Sequence, residues 1–194
     1  MSGRYDFTFG GRERQQLLAS WIGEGRRVLD LGARDGVMTS AFALRNDVVA
    51  CDIDVHALRH GILATRLGKV VHADARSPLP FASDAFDCVF CGEVLEHTPL
   101  PAQTVREIAR VLCMGGLFVG SVPNAFRLKN RLMFLVGQEF ENEATHLHHF
   151  SPSAVRTMLA ASFDSIEMTA GVGRFVALHP ILFGNVLMWK CRKA

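Results

Sequence analysis

The sequence predicts an α/β protein built on a doubly wound, mostly parallel sheet. Two observations lead to that expectation. Short apolar β-branched runs alternate with helix-period segments along the chain, and the connections between them are short. Composition agrees: of 194 residues, 49% are hydrophobic and 21% charged, the balance of a folded domain and not of a disordered chain. The length suits one domain over 1–194, large enough to bury roughly 70% of its unfolded surface.

An amphipathic opening helix carries Leu17, Leu18, Trp21 and Ile22. Strands are expected at Arg27–Leu31, Asp47–Asp52, Lys69–Ala73, Phe86–Cys91 and Leu117–Val122, with helices near Gly36–Arg45, Val55–Thr65 and Ala102–Leu112 between them. The last of these helices sets Val105, Ile108, Ala109 and Leu112 on one stripe, and Gly115-Gly116 supplies a stop beyond it. A later helix opens at Ser151-Pro152, Ser as cap and Pro at the first helical position, and runs through Val155, Met158 and Leu159. Strands at Phe163–Thr169 and about Val186–Cys191 complete the chain.

A net charge of +2 is too small to imply a nucleic-acid partner, because phosphate binding needs a concentrated basic face. The opening MSGRYDFTFGGRERQQ has no apolar core of signal-peptide length, and no run of about 18 uncharged apolar residues occurs. A cytoplasmic location is the expectation, and the oligomeric state is left open. Cys51, Cys88, Cys91 and Cys113 lie in or beside apolar segments, where a free thiol behaves as a small hydrophobe. Cys88 and Cys91 have metal-like spacing, but positions three apart on one strand face opposite sides and no second pair follows.

Three blocks carry binding chemistry. In VLDLGARDG, Val28 to Gly36, a buried strand runs into a glycine turn and then a helix start, where an open α/β sheet binds its ligand. Gly32 lets backbone approach a ligand, the helix start offers unpaired N–H groups, and Asp30 can accept from a cationic amine. In VVACDID, Asp52 ends the next strand about 20 residues after the glycine turn, where an acidic side chain can bind ribose hydroxyls. In VVHADARSPLP, Asp74 follows a third strand, where it either reads an adenine amine or caps a turn.

With HADARSPLPFASDAFDCVFCGEVLEH and REIARVLCMGGLFVGSVPN, these blocks give the chain a clear family likeness: it resembles a class I S-adenosylmethionine-dependent methyltransferase of the broad small-molecule (type 11-like) group over nearly its whole length. The resemblance implies a Rossmann-like seven-stranded sheet with an antiparallel last strand, and S-adenosylmethionine as cofactor. It implies that Asp30 and Gly32 contact the methionine portion, Asp52 the ribose, and Asp74 and Ala75 the adenine, with Arg34, Gly36 and Ile53 completing the cofactor set. Glu93, ending the fourth strand, would face the reacting groups. The family commonly has glycine where this chain has Arg34, so that side chain must point away from the cofactor or clasp its carboxylate. A nicotinamide enzyme shares the ribose-binding carboxylate, but pyrophosphate needs Gly-x-Gly-x-x-Gly spacing, which Gly32 and Gly36 do not supply.

Methyl transfer from a sulfonium is an in-line displacement, so the protein must align the acceptor, exclude water and, for a hydroxyl acceptor, remove a proton. His97, in EVLEHTPLP, is the first candidate base; a structural hydrogen-bonding role is the alternative. HLHHF, with His146, His148 and His149, is the second: His146 and His148 alternate as on an extended segment and would face one cavity. No carboxylate or thiolate partner is fixed by spacing, so no metal is assigned. An acceptor-side insertion at about 124–150 includes an apolar stripe of Leu128, Leu132, Leu135 and Val136, flanked by Arg127, Lys129 and Arg131. It reads as a core-packed helix, as a lid over an apolar substrate, or as a peripheral lipid contact through 126–140. Some resembling enzymes methylate quinone or lipid precursors, so the expected partner is a small-molecule acceptor, with oxygen, nitrogen and carbon all open. A binding or regulatory protein that keeps the fold without turnover is the competing reading, to which Arg34 lends weight.

Overall fold

The computed structural model describes residues 11–65, 69–139 and 143–194. Seven strands form one sheet: β1 (Arg27–Leu31), β2 (Asp47–Asp52), β3 (Lys69–His72), β4 (Phe86–Gly92), β5 (Leu112–Pro123), β6 (Phe163–Gly171) and β7 (Val186–Lys193). Their spatial order is β3-β2-β1-β4-β5-β7-β6. β1 pairs in parallel with both β2 and β4, β2 with β3 and β4 with β5, whereas β7 runs antiparallel to β5 and β6. This is the doubly wound, mostly parallel sheet with an antiparallel last strand that the sequence implies.

The helices are α1 (Gly11–Ile22), α2 (Val55–Thr65), α3 (Pro101–Val111), α4 (Leu128–Leu135), α5 (Pro152–Leu159) and α6 (Pro180–Phe183). Side chains alternate across a strand, so odd and even positions of β1 and β4 enter different cores. Leu29, Leu31, Val89 and Cys91 join Val105 and Ile108 of α3 and Val155 and Leu159 of α5. Val28, Cys88 and Phe90 join Leu18 and Ile22 of α1, while Ala50 of β2 packs on Leu58 of α2. Cys88 and Cys91 therefore lie on opposite faces, both buried as small hydrophobes. α5 has the cap the sequence offers, Ser151 Oγ accepting from the Ala154 N–H at 3.1 Å with Pro152 at the start.

Four expectations are corrected. The segment after the glycine turn is not an α-helix over Gly36–Arg45 but two 3₁₀ turns, Thr39–Ala41 and Ala43–Arg45. Thr39 donates its hydroxyl to buried Asp30 at 2.6 Å, which ties the segment to β1, and the Ser40 hydroxyl donates to the Val37 carbonyl, a local bond that competes with the helical ladder. The strand after α2 ends at His72, one residue short of Ala73. α3 ends at Val111, and Gly115-Gly116 is no helix stop. Phe86 pairs with Leu112 and Cys88 with Leu117, so Cys113–Gly116 bulge out of β5, with Gly115 at φ +71° making the bend. Lastly, the apolar stripe of the insertion is not core: Leu132, Leu135 (78% exposed) and Val136 face outward with Phe134 (74% exposed). Residues 140–142 of that insertion lie outside the described residues.

Trp189 of β7, one strand in from the sheet edge, is fully buried and edge-on to Phe118 at 5.7 Å between centroids. Gly120 makes room for it: a Cβ there would lie 2.3 Å from Trp189 Cζ2. Trp189→Ala should cost about 3–5 kcal/mol, read as a lower midpoint in urea unfolding; a loss under about 1 kcal/mol would mean the core closes over the cavity.

Candidate functional site

The winding changes direction between β1 and β4, and an open sheet leaves a crevice at that point beyond its carboxyl ends. A cavity of about 370 Å³ lies there, lined from successive strand ends by Gly32 and Arg34, Asp52 and Ile53, Asp74 to Arg76, and Glu93, Val94 and His97. Gly32 and Ala33 donate their N–H groups to the Cys51 carbonyl at 2.8 and 3.0 Å, which ties the glycine turn to β2. Gly32 has φ +83°, and a Cβ on it would stand 2.1 Å from Val94 Cγ2, so only glycine fits. Arg34 also has φ +47°, the conformation that explains the family's glycine at this position.

Asp52 holds this end together. Its Oδ2 accepts the Arg34 N–H at 2.9 Å and its Oδ1 the Asp54 N–H at 2.8 Å, with lone pairs left on both oxygens. Beside it, Ile53 is half exposed toward the cavity. Asp74 is engaged more fully than the sequence implies. The Arg76 Nε and Nη2 grip its carboxylate at 2.8–3.0 Å, and the Arg76 N–H caps the turn on Oδ1. Those bonds hold the Asp74 carboxyl below the usual range, the Arg76 side chain first among them. The turn-capping role is therefore occupied. The loop is anchored to α3, where Thr104 Oγ1 donates to the Ala75 carbonyl and Arg110 to those of Leu79 and Phe81.

Two residues of the cofactor set do not line the cavity. Asp30 lies beneath its floor at 1% exposure, bonded to Thr39, and so is not placed to meet an amine directly. Burial pushes its carboxyl up to about 7, with Thr39 opposing and Asp52 reinforcing the rise. Gly36 closes the turn from behind through its N–H to the Ala33 carbonyl at 2.8 Å. On the acceptor side, Glu93 and His97 line the cavity. Glu93 sits at φ +59°, a conformation that costs a non-glycine residue about 1–3 kcal/mol and clusters at functional sites. His97 donates from Nδ1 to the Thr145 carbonyl at 3.0 Å.

His146 and His148 do not share a cavity. His146 stands behind His97, ring centroids 4.8 Å apart, whereas His148 turns to the Pro99 carbonyl at 3.2 Å. Burial, then the neighbouring His97, holds His146 below the ordinary imidazole value. The reason for the split is the backbone: Leu147 and His148 both donate N–H groups to the Glu96 carbonyl, which turns the strap over. Sequence reading missed Glu96, Arg14 and Gly61. Glu96, between Glu93 and His97, is 1% exposed and pushed up to about 8 by burial and then by Glu93. Arg14 of α1 reaches Ser121 Oγ at 2.9 Å and Glu93 Oε1 at 3.3 Å. Gly61 of α2 lets the helix press on the turn, since a Cβ there would meet the Asp35 carbonyl at 1.8 Å. Only Glu96 left a local signal, a second carboxyl in EVLEH; the other two depend on packing.

The fold, with a cavity at its strand ends, is similar to that of solved S-adenosylmethionine-dependent methyltransferases. Residues 29–120 match the family model described as a methyltransferase domain. A ubiquinone biosynthesis O-methyltransferase of Pseudomonas syringae pv. tomato is 31% identical over 139 residues, covering 64% of this chain and 57% of the relative. The chain thus spans little more than half the length of that relative. Among solved structures, a SAM dependent methyltransferase from Archaeoglobus fulgidus aligns with a TM-score of 0.73 at 17% identity, covering 98% of this chain and 100% of the other. An S-adenosylmethionine dependent methyltransferase from Mesorhizobium loti gives 0.70 at 16%, covering 91% and 96%.

Asp30 sets a pH dependence. Its folded carboxyl keeps its proton between 3.8 and about 7 while the unfolded chain loses it, so stability falls as pH rises through that window. Asp30→Asn should lessen the fall by about 1.4 kcal/mol per pH unit, measured by urea unfolding across the window; an unchanged slope would mean Asp30 is ionised in the fold.

Proposed function

We propose that this protein transfers a methyl group from S-adenosylmethionine to an oxygen of a small, partly apolar acceptor. The observation that carries the reading is the single cavity that joins Gly32, Asp52 and Ile53 on one wall to Glu93 and His97 on the other. Its donor set suits this cofactor. Asp52 keeps lone pairs for a ribose diol, Ile53 offers an apolar face to adenine, and the Gly32 turn allows backbone contact with the amino-acid portion. Arg34, which lines the same cavity, supports a contact with its carboxylate. The Asp74 carboxylate is already held by Arg76, so the backbone of Asp74 and Ala75 is the part left to read the adenine amine.

When bound, S-adenosylmethionine supplies an electrophilic methyl group. The chain's own work is then alignment and exclusion of water, with Glu93 and His97 as the groups able to position an acceptor hydroxyl or receive its proton. The relatives' name, ubiquinone biosynthesis O-methyltransferase, supports oxygen as the acceptor atom and a quinone-like ring as its carrier. The exposed Phe134, Leu135 and Val136 of the insertion, on a segment that also exposes Lys129, support peripheral contact with a lipid surface over a core role. No helix among the described residues is long and apolar enough to cross a membrane.

Calorimetric titration tests the cofactor first. Wild type should bind S-adenosylmethionine and S-adenosylhomocysteine, and Asp52→Ala should weaken both by roughly 10–100-fold, the worth of hydrogen bonds to a charged group. Incubation with S-adenosylmethionine and a panel of phenols and catechols should then release S-adenosylhomocysteine. Tight binding with no turnover on any acceptor would favour the non-catalytic reading.

A further inference from the structure

Behind the acceptor wall lies a cluster that cofactor binding does not use. Glu96 belongs to the 3₁₀ turn Leu95–His97 and is 1% exposed, yet neither of its carboxylate oxygens has a hydrogen-bond partner among the described residues. A buried carboxylate without donors is costly unless a proton or a cation satisfies it. Two imidazoles stand against it: one donor atom from each of Glu96, His97 and His146 lies within 4.8 Å of the other two. The Thr145 carbonyl can only accept, so the 3.0 Å contact makes His97 Nδ1 the donor and leaves Nε2 with its lone pair. Tying one imidazole nitrogen to a backbone carbonyl is how proteins aim the other at a metal. His146 has Glu143 Oε2 3.5 Å from its Nε2, a second carboxylate at the edge of the group.

We propose that Glu96, His97 and His146 form a binding site for one divalent transition cation, of the manganese-to-zinc range. Two imidazole nitrogens with one carboxylate oxygen suit such ions better than magnesium or calcium, which prefer oxygen alone. Bonds to nitrogen and oxygen are about 2.0–2.2 Å long, so shifts of up to about 0.7 Å per donor bring these atoms onto one ion. Three protein ligands leave coordination positions open. The spacing H-x-x-E is absent here because the ligands come from two segments: the turn after β4 supplies two, and the strap at 143–150 supplies the third. That strap is pinned in place by the Leu147 and His148 N–H groups on the Glu96 carbonyl. Since His97 also lines the cavity, an open position can take an oxygen of the acceptor, a role that rests on the methyl-transfer reading. His97 then holds the ion instead of acting as the base, and Glu93 is the carboxylate left to receive a proton.

The ion-binding claim is tested without turnover. The full chain, stripped with chelator and dialysed, is titrated with MnCl₂ while the spectrum of free Mn²⁺ is followed by electron paramagnetic resonance, and with ZnCl₂ by calorimetry. One ion per chain is expected for at least one of the two metals. His97→Ala, His146→Ala and Glu96→Gln should each weaken it at least 10-fold, with the thermal midpoint of the metal-free His146→Ala variant and its affinity for S-adenosylmethionine unchanged. Absence of stoichiometric binding of either ion by the wild type overturns the site, as does equal binding by wild type and the two histidine variants. Cofactor titration of the same samples keeps that failure distinct from failure of the methyltransferase reading.

Discussion

Parallel pairing of β1 with a neighbour on each side governs the rest of the structure. Leu31 lies opposite Cys51 of β2 and Cys91 of β4, so three chains end at one level. The connection after β1 then packs with α1, while that after β4 leads into α3 on the opposite face. Among the described residues the space between the diverging connections is left as the cavity, and residues at the ends of these strands line it. Position in the sheet thus places Gly32, Asp52 and Glu93 around one cavity.

The turns at that edge are strained, and the surrounding bonds hold them. Arg34 and Glu93 both adopt positive φ, where a side chain costs about 1–3 kcal/mol. Asp52 and the Cys51 carbonyl accept three N–H groups from the glycine turn, and Gly61 lets α2 bear on it from outside. Glu93 is held by its own N–H to the Ser121 carbonyl at 2.9 Å and by Arg14. This wall of the cavity is thereby held in shape by its own bonds, which lowers the ordering cost of binding any ligand there.

Two buried carboxyl groups underlie the two halves of the cavity in different ways. Asp30 is satisfied by the Thr39 hydroxyl, and that bond shapes the 3₁₀ turns that replace a helix. Glu96 has no such donor among the described residues; its carbonyl is the anchor for the strap that carries His146. One carboxyl organises the fold, and the other is left available for chemistry.

Much was legible in the sequence. Strand periodicity, the glycine turn and the acids ending successive strands depend on neighbours along the chain, and they located six strands to within a residue or two at most ends, along with Gly32, Asp52 and Glu93 at the strand ends. Interactions across the fold were not legible. Whether the stripe at Leu132 and Leu135 is buried depends on what packs over it, and nothing among the described residues covers it. Alternation suggested that His146 and His148 share a face, but hydrogen bonds to Glu96, some fifty positions away, decide where each ring goes. Local spacing therefore determined the elements and the ends at which function gathers. Only the tertiary structure decided which side chains meet there, because those meetings are made by segments far apart in sequence, and only packing brings them within a few ångströms.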